Sequence, residues 1–137
     1  MSEPQQRRQH PRANTHLRVS FAVVVPEDTF APRICEAVVC DISAGGAMVA
    51  VRLPEELYST LLHATRYVRI TFRDEELLPH RLIGRAVYIQ PISQGERREY
   101  RIGVCFDEIA AADRARVQAY VDRLLGTQAP DSPSGSA

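Results

Sequence analysis

Apolar residues fall at alternate positions in six separate runs of this chain, and a period of two commits most of its length to extended strands. The runs cover Leu17–Val25, Ile34–Ile42, Gly46–Arg52, Tyr67–Arg73, Arg81–Ile89 and Tyr100–Phe106. In the fourth, Val68, Ile70 and Phe72 alternate with Arg69, Thr71 and Arg73, the pattern of a strand with one buried and one solvated face. Pro26, the Asp74–Pro79 stretch and Gly95 break the chain between runs. Consecutive strands of this kind predict a mainly β fold, a six-stranded antiparallel β-barrel or closed sheet.

Two segments change period. Pro54 followed by Glu55 and Glu56 suits the first turn of a short helix over Glu55–His63: proline loses no hydrogen bond there, and acids favour the positive end of the helix dipole. Val117, Tyr120, Val121 and Leu124 fall at i, i+3, i+4 and i+7, an apolar stripe on a C-terminal helix over Ala111–Leu125 that Gly126 is expected to stop. That stripe has only the barrel to pack on. The expected organisation is a disordered tail over 1–6, a single domain over 7–126 and a disordered Pro/Ser/Gly-rich tail over 127–137. Within the domain an arm (7–16) leads into the barrel (17–107) and then the helix (111–125).

Composition excludes several functions. All 17 residues counted as lysine plus arginine are arginine, which leaves no Schiff-base lysine and no P-loop lysine. Formal net charge is zero and aromatic residues make up 7%, whereas a binder of single-stranded nucleic acid needs aromatic platforms along a basic groove, so no nucleic-acid polymer is expected as a partner. Cys35, Cys40 and Cys105 are odd in number and lack C-x-x-C spacing, which fits reduced, packed thiols in a cytoplasmic protein. Cys35 and Cys40 differ in parity and should face opposite sides of one strand. No apolar run approaches the length of a membrane span, so no membrane insertion is expected. His10, His16, His63 and His80 have no metal-ligand spacing, and Ser43 has no histidine nearby in sequence to act as its base. Neither catalysis nor a metal or cofactor is expected.

Between the second and third runs lies Asp41-Ile42-Ser43-Ala44-Gly45-Gly46, the tip of a β-hairpin. Its two glycines permit positive φ and close backbone approach, and its Asp and Ser can bond the local backbone or present oxygen atoms outward. Arginines at R-x-x-x-R spacing occur as Arg8/Arg12, Arg69/Arg73, Arg81/Arg85 and Arg97/Arg101. The last three pairs lie on or beside strands, where residues four apart share a solvated face. Arg8 and Arg12 precede the first strand, with Arg7 beside them, and His10 before Pro11 is pushed toward extended backbone. Extended, the two α-carbons lie up to about 13 Å apart at about 3.3 Å per residue, a span for something larger than a mononucleotide. Arginine grips phosphate bidentately, reads the O6/N7 edge of guanine and stacks on bases.

In this order Arg8-Gln9-His10-Pro11-Arg12 and Asp41-Ile42-Ser43-Ala44-Gly45-Gly46 resemble the PilZ domain, the bacterial receptor for cyclic di-GMP. Tyr100–Phe106 and the helix after it are similar to the last strand and closing helix of that family, so the resemblance runs from about Arg7 to Leu125. It implies a six-stranded barrel with a terminal helix and a nucleotide held between barrel and arm. Arg8 and Arg12 would bind phosphates and guanine edges, while Asp41, Ser43 and Gly46 would wrap a guanine. Arg7 would stack on a second ligand molecule. The Pro54–His63 segment is longer than a minimal version of the fold needs.

The expected function is that of a cyclic di-GMP receptor whose arm orders over the nucleotide and signals to a downstream protein or through a homodimer. The alternative is a PilZ-like interaction module of pilus or motility regulation that binds no nucleotide. Such modules tend to lack one of the two motifs, and both are present here.

Overall fold

The computed structural model describes residues 10–25, 33–73, 75–92 and 98–128. Among them are six strands and two helices: β1 (Ala13–Val23), β2 (Ile34–Ser43), β3 (Gly46–Arg52), α1 (Glu55–His63), β4 (Tyr67–Phe72), β5 (Arg81–Pro91), β6 (Glu99–Cys105) and α2 (Ala111–Gln128). The strands close into an antiparallel barrel in the order β1-β2-β3-β6-β5-β4, with β4 returning to β1. Alternation decides which side chains go in. Val19, Phe21, Val39, Val49, Ile70, Leu82 and Ile102 fill the interior, each worth about 1.5–3 kcal/mol of transfer out of water.

The helices cover parts of this barrel by their apolar stripes. On α1, Leu61 is fully buried and Tyr58 stacks on Tyr100 of β6, with ring centroids 4.4 Å apart at 15°. On α2, Val117, Tyr120 and Val121 are buried against the barrel and Leu124 packs partly on it, as the helical spacing predicts. Arg116 fastens the same helix to the β4–β5 connection by donating to the carbonyls of Glu76 and Leu78.

Three details differ from the sequence expectation. β1 begins at Ala13 rather than Leu17, because Ala13 pairs with Ile42 and Asn14 with Asp41, so the last residues of the expected 7–16 arm belong to the barrel wall. Gly126 does not stop α2, which continues to Gln128. The glycine is exposed and a Cβ there would meet nothing, so it costs the helix only its propensity, about 1 kcal/mol. Residues 127 and 128 of the expected tail are therefore helical, while 129–137 and the expected tail over 1–6 lie outside the described residues.

The three cysteines are free thiols. Cys35 packs partly against the core, and burial pushes its thiol pKa up. No helix among the described residues is long and apolar enough to cross a membrane.

Candidate functional site

Bulges position the hairpin tip. Thr15 and His16 of β1 lie opposite Cys40 of β2, and Cys40 is itself an extra residue in the register between β2 and β3. An extra residue re-aims the side chains that follow it. Ala37 and Val39 point inward before the irregularity, and Ile42 does so after it. Without the shift, Asp41 would occupy the inward position.

Asp41 instead meets Arg12, which enters from just before β1. The guanidinium Nη1 donates to Asp41 Oδ1 at 2.7 Å, and the side chains remain 39% and 24% exposed. Ser43 is used differently. Its buried hydroxyl accepts from the Gly45 N–H at 3.1 Å and bonds the Gly46 carbonyl at 3.4 Å, so it holds the turn closed. Neither glycine takes up the positive φ that the sequence allows. A Cβ on Gly46 would lie 2.3 Å from the Val104 carbonyl oxygen, and one on Gly45 would lie 2.9 Å from the His10 ring. The glycines are therefore required for close approach: Gly46 to the backbone of β6, Gly45 to the side chain of His10.

These residues border an open groove of about 230 Å³. His10 and Arg12 line one side, and Ser43, Gly45 and Gly46 form the hairpin edge. Met48, Gly103 and Cys105 continue its floor along β3 and β6, and Val87, the extra residue of a third bulge, stands at the β5 side. Asp41 does not line the groove directly and reaches it through Arg12. Arg7 and Arg8 lie outside the described residues. Two other surface grooves of about 300 Å³ are larger, but their charges are mixed. One has Arg18 and Arg52 with Glu36 and Glu99, the other Arg18 and Arg73 with Glu75. Among the described residues the lining of the hairpin groove carries Arg12 and His10 and no carboxylate, which suits an anionic, partly apolar ligand.

The strand arginines behave as a solvated face. Arg73 pairs with Glu36 at 3.3 Å and Arg85 with Asp107, and Arg97 lies outside the described residues. Their shared hydrogen bond raises the Arg85 pKa and lowers that of Asp107. Among the described residues no group of three His, Cys, Asp or Glu side chains could hold a metal ion.

Two contributions to the site carry no motif. The walls from β5 and β6 follow only from the pairing of β3 with β6 that closes the barrel. Arg114 of α2 donates to the carbonyls of Ala44 and Phe106, both at 2.7 Å, and grips the hairpin tip from outside.

The six-stranded closed barrel and its closing helix define the class of fold, and the profile of the PilZ domain matches residues 6–123. The chain belongs to the PilZ domain family. No match is found among curated protein sequences.

Solved structures share the fold. The PilZ domain of YcgR from Escherichia coli, solved with cyclic di-GMP, aligns with a TM-score of 0.61 at 15% identity over 89% of this chain and 94% of that one. The inhibitor of motility MotI/DgrA of Bacillus subtilis aligns with a TM-score of 0.58 at 24% identity over 90% of this chain, which spans about half (53%) of that protein. PlzA of Borreliella burgdorferi, solved in complex with cyclic di-GMP, aligns with a TM-score of 0.56 at 9% identity over 93% of this chain and 57% of that one.

Proposed function

We propose that this protein is a cyclic di-GMP receptor that controls a downstream protein rather than catalysing a reaction. The observation that carries the reading is the convergence of Arg12, Asp41, Ser43 and Gly46, drawn from two separate parts of the sequence, at or beside one groove whose described lining holds no carboxylate. In the bound state Arg12 turns from Asp41 to a ligand phosphate or guanine edge, and the released carboxylate accepts from guanine ring and exocyclic N–H groups. The exchange is energetically accessible: a part-exposed ion pair contributes about 0–1 kcal/mol, and one good bidentate contact to a base about 1–3 kcal/mol. Gly45 and Gly46 line the groove, where their backbone meets a planar ring. Arg7 and Arg8 supply the further cations, and Arg7 stacks on a second ligand molecule.

Cyclic di-GMP binding by YcgR and PlzA, and the inhibition of motility by MotI, support a receptor acting in motility or biofilm regulation. The cytoplasm is the compartment such a receptor requires. Its output passes through the ordered arm to a protein partner or a second copy of the chain.

One observation favours the interaction module that binds no nucleotide: Arg12 and Asp41 satisfy each other, and Ser43 satisfies its own turn. Amide chemical-shift mapping separates the readings. Addition of cyclic di-GMP should shift His10, Arg12, Gly45, Gly46, Met48 and Gly103 together while GTP at the same concentration leaves them in place. An unchanged spectrum would favour the interaction module.

A further inference from the structure

Three carbonyls of the hairpin tip, those of Ala44, Gly45 and Gly46, each meet a donor. Ser43 bonds the Gly46 carbonyl, the Phe106 N–H donates to Gly45 at 2.9 Å, and Arg114 donates to Ala44. The second nitrogen of the same guanidinium takes the Phe106 carbonyl, so one planar fork ties the tip, the end of β6 and α2 together. Ser43 and Phe106 belong to the hairpin and the strand continuation; Arg114 comes from the helix.

Its position in that helix is a poor one for the helix itself. Arg114 lies in the first turn of α2, where the dipole favours anions, and Asp113 is the acid of that turn. The cation is offset by its contacts outside the helix, which are bonds from a charged donor to two carbonyls of a part-buried junction.

We propose that Arg114 is a positioning residue for the nucleotide loop, and that through it the start of α2 responds to what the groove holds. The proposal rests on the receptor reading for its ligand. A ligand seated against Gly45 and Gly46 bears on the Ala44 carbonyl one residue away, and Arg114 passes any shift there to the helix and to Phe106. Coupling of this kind is reciprocal: whatever stabilises the first turn of α2 in place also favours the ligand. A lysine cannot reproduce it fully, because a single ammonium lacks the planar fork that spans two carbonyls.

The test compares wild type, Arg114→Lys and Arg114→Gln by calorimetry with cyclic di-GMP and by amide hydrogen exchange with and without it. Arg114→Gln should bind about tenfold more weakly, exchange Gly45 and Phe106 amides about tenfold faster without ligand, and lose the ligand-dependent protection of residues 111–118. Arg114→Lys should lie between, and it carries the comparison if Arg114→Gln fails to fold. Equal affinity with an undiminished response of α2 in Arg114→Gln would overturn the proposal. If wild type binds no cyclic di-GMP, the receptor reading fails by itself. The ligand-free exchange then still decides the role of Arg114, since unchanged rates at Gly45 and Phe106 would remove it.

Discussion

Arg12 and Asp41 stand 29 residues apart in the chain and meet in a 2.7 Å hydrogen bond where β2 approaches its hairpin tip. The two motifs are thereby joined before any ligand arrives. Each occupies the other's charge in a part-exposed setting, where an ion pair contributes about 0–1 kcal/mol, and on the receptor reading it is the arrangement a ligand replaces.

Replacing either partner should therefore barely touch folding. Arg12→Ala and Asp41→Ala are expected to lower stability by no more than about 1 kcal/mol, measured by urea denaturation. A loss above about 3 kcal/mol in either would make the pair a structural element instead.

The adjacent glycines should differ sharply from each other. Gly46→Ala drives a methyl into the Val104 carbonyl, a backbone atom that moves only if β3 and β6 separate, and should cost about 1–3 kcal/mol. Gly45→Ala meets only the His10 ring, which can turn aside, and should stay within about 0.5 kcal/mol of wild type. Thermal unfolding of the two variants side by side checks the order, and equal losses would contradict the register at Gly46.

The short helix α1 is an integral part of the core despite exceeding what a minimal barrel needs. Leu61 is fully buried and Tyr58 is stacked on Tyr100. Leu61→Ala should cost about 2–5 kcal/mol in urea denaturation, and a loss below about 1 kcal/mol would show the helix to be peripheral.

Asp107 provides a pH test of the surface electrostatics. The hydrogen bond from Arg85 holds its carboxyl below the ordinary value. A depressed pKa favours the folded state above the unfolded carboxylate pKa, and that contribution fades as pH falls through the folded one. An NMR titration should place the Asp107 midpoint lower in wild type than in Arg85→Gln. Identical midpoints would mean that the two side chains do not interact in solution.

Strands with strict alternation were legible to within a residue or two. The start of β1 was not, because Ala-Asn-Thr-His (13–16) has no apolar period and is held in the sheet by pairing with Ile42 and Asp41 and by a bulge. Gly126 read as a stop although an exposed glycine late in a packed helix carries only a propensity cost. At the site, the residue types and their order could be read from the sequence, and their partnerships could not. Ser43 turned inward to its own loop, and Gly46 answered to the backbone of β6. Val87 and Gly103 entered the groove only through barrel closure. Arg114 left a single trace, a cation in the wrong turn of its helix.

The most direct test of the receptor reading is calorimetric titration of the full chain with cyclic di-GMP beside Arg12→Ala and Asp41→Ala, with GTP as the control ligand. Micromolar or tighter binding to wild type, weakened at least about tenfold by each substitution and absent for GTP, is the predicted result, one lost bidentate contact being worth about 1–3 kcal/mol. No detectable binding by the folded wild-type protein, or binding that neither substitution alters, would contradict it.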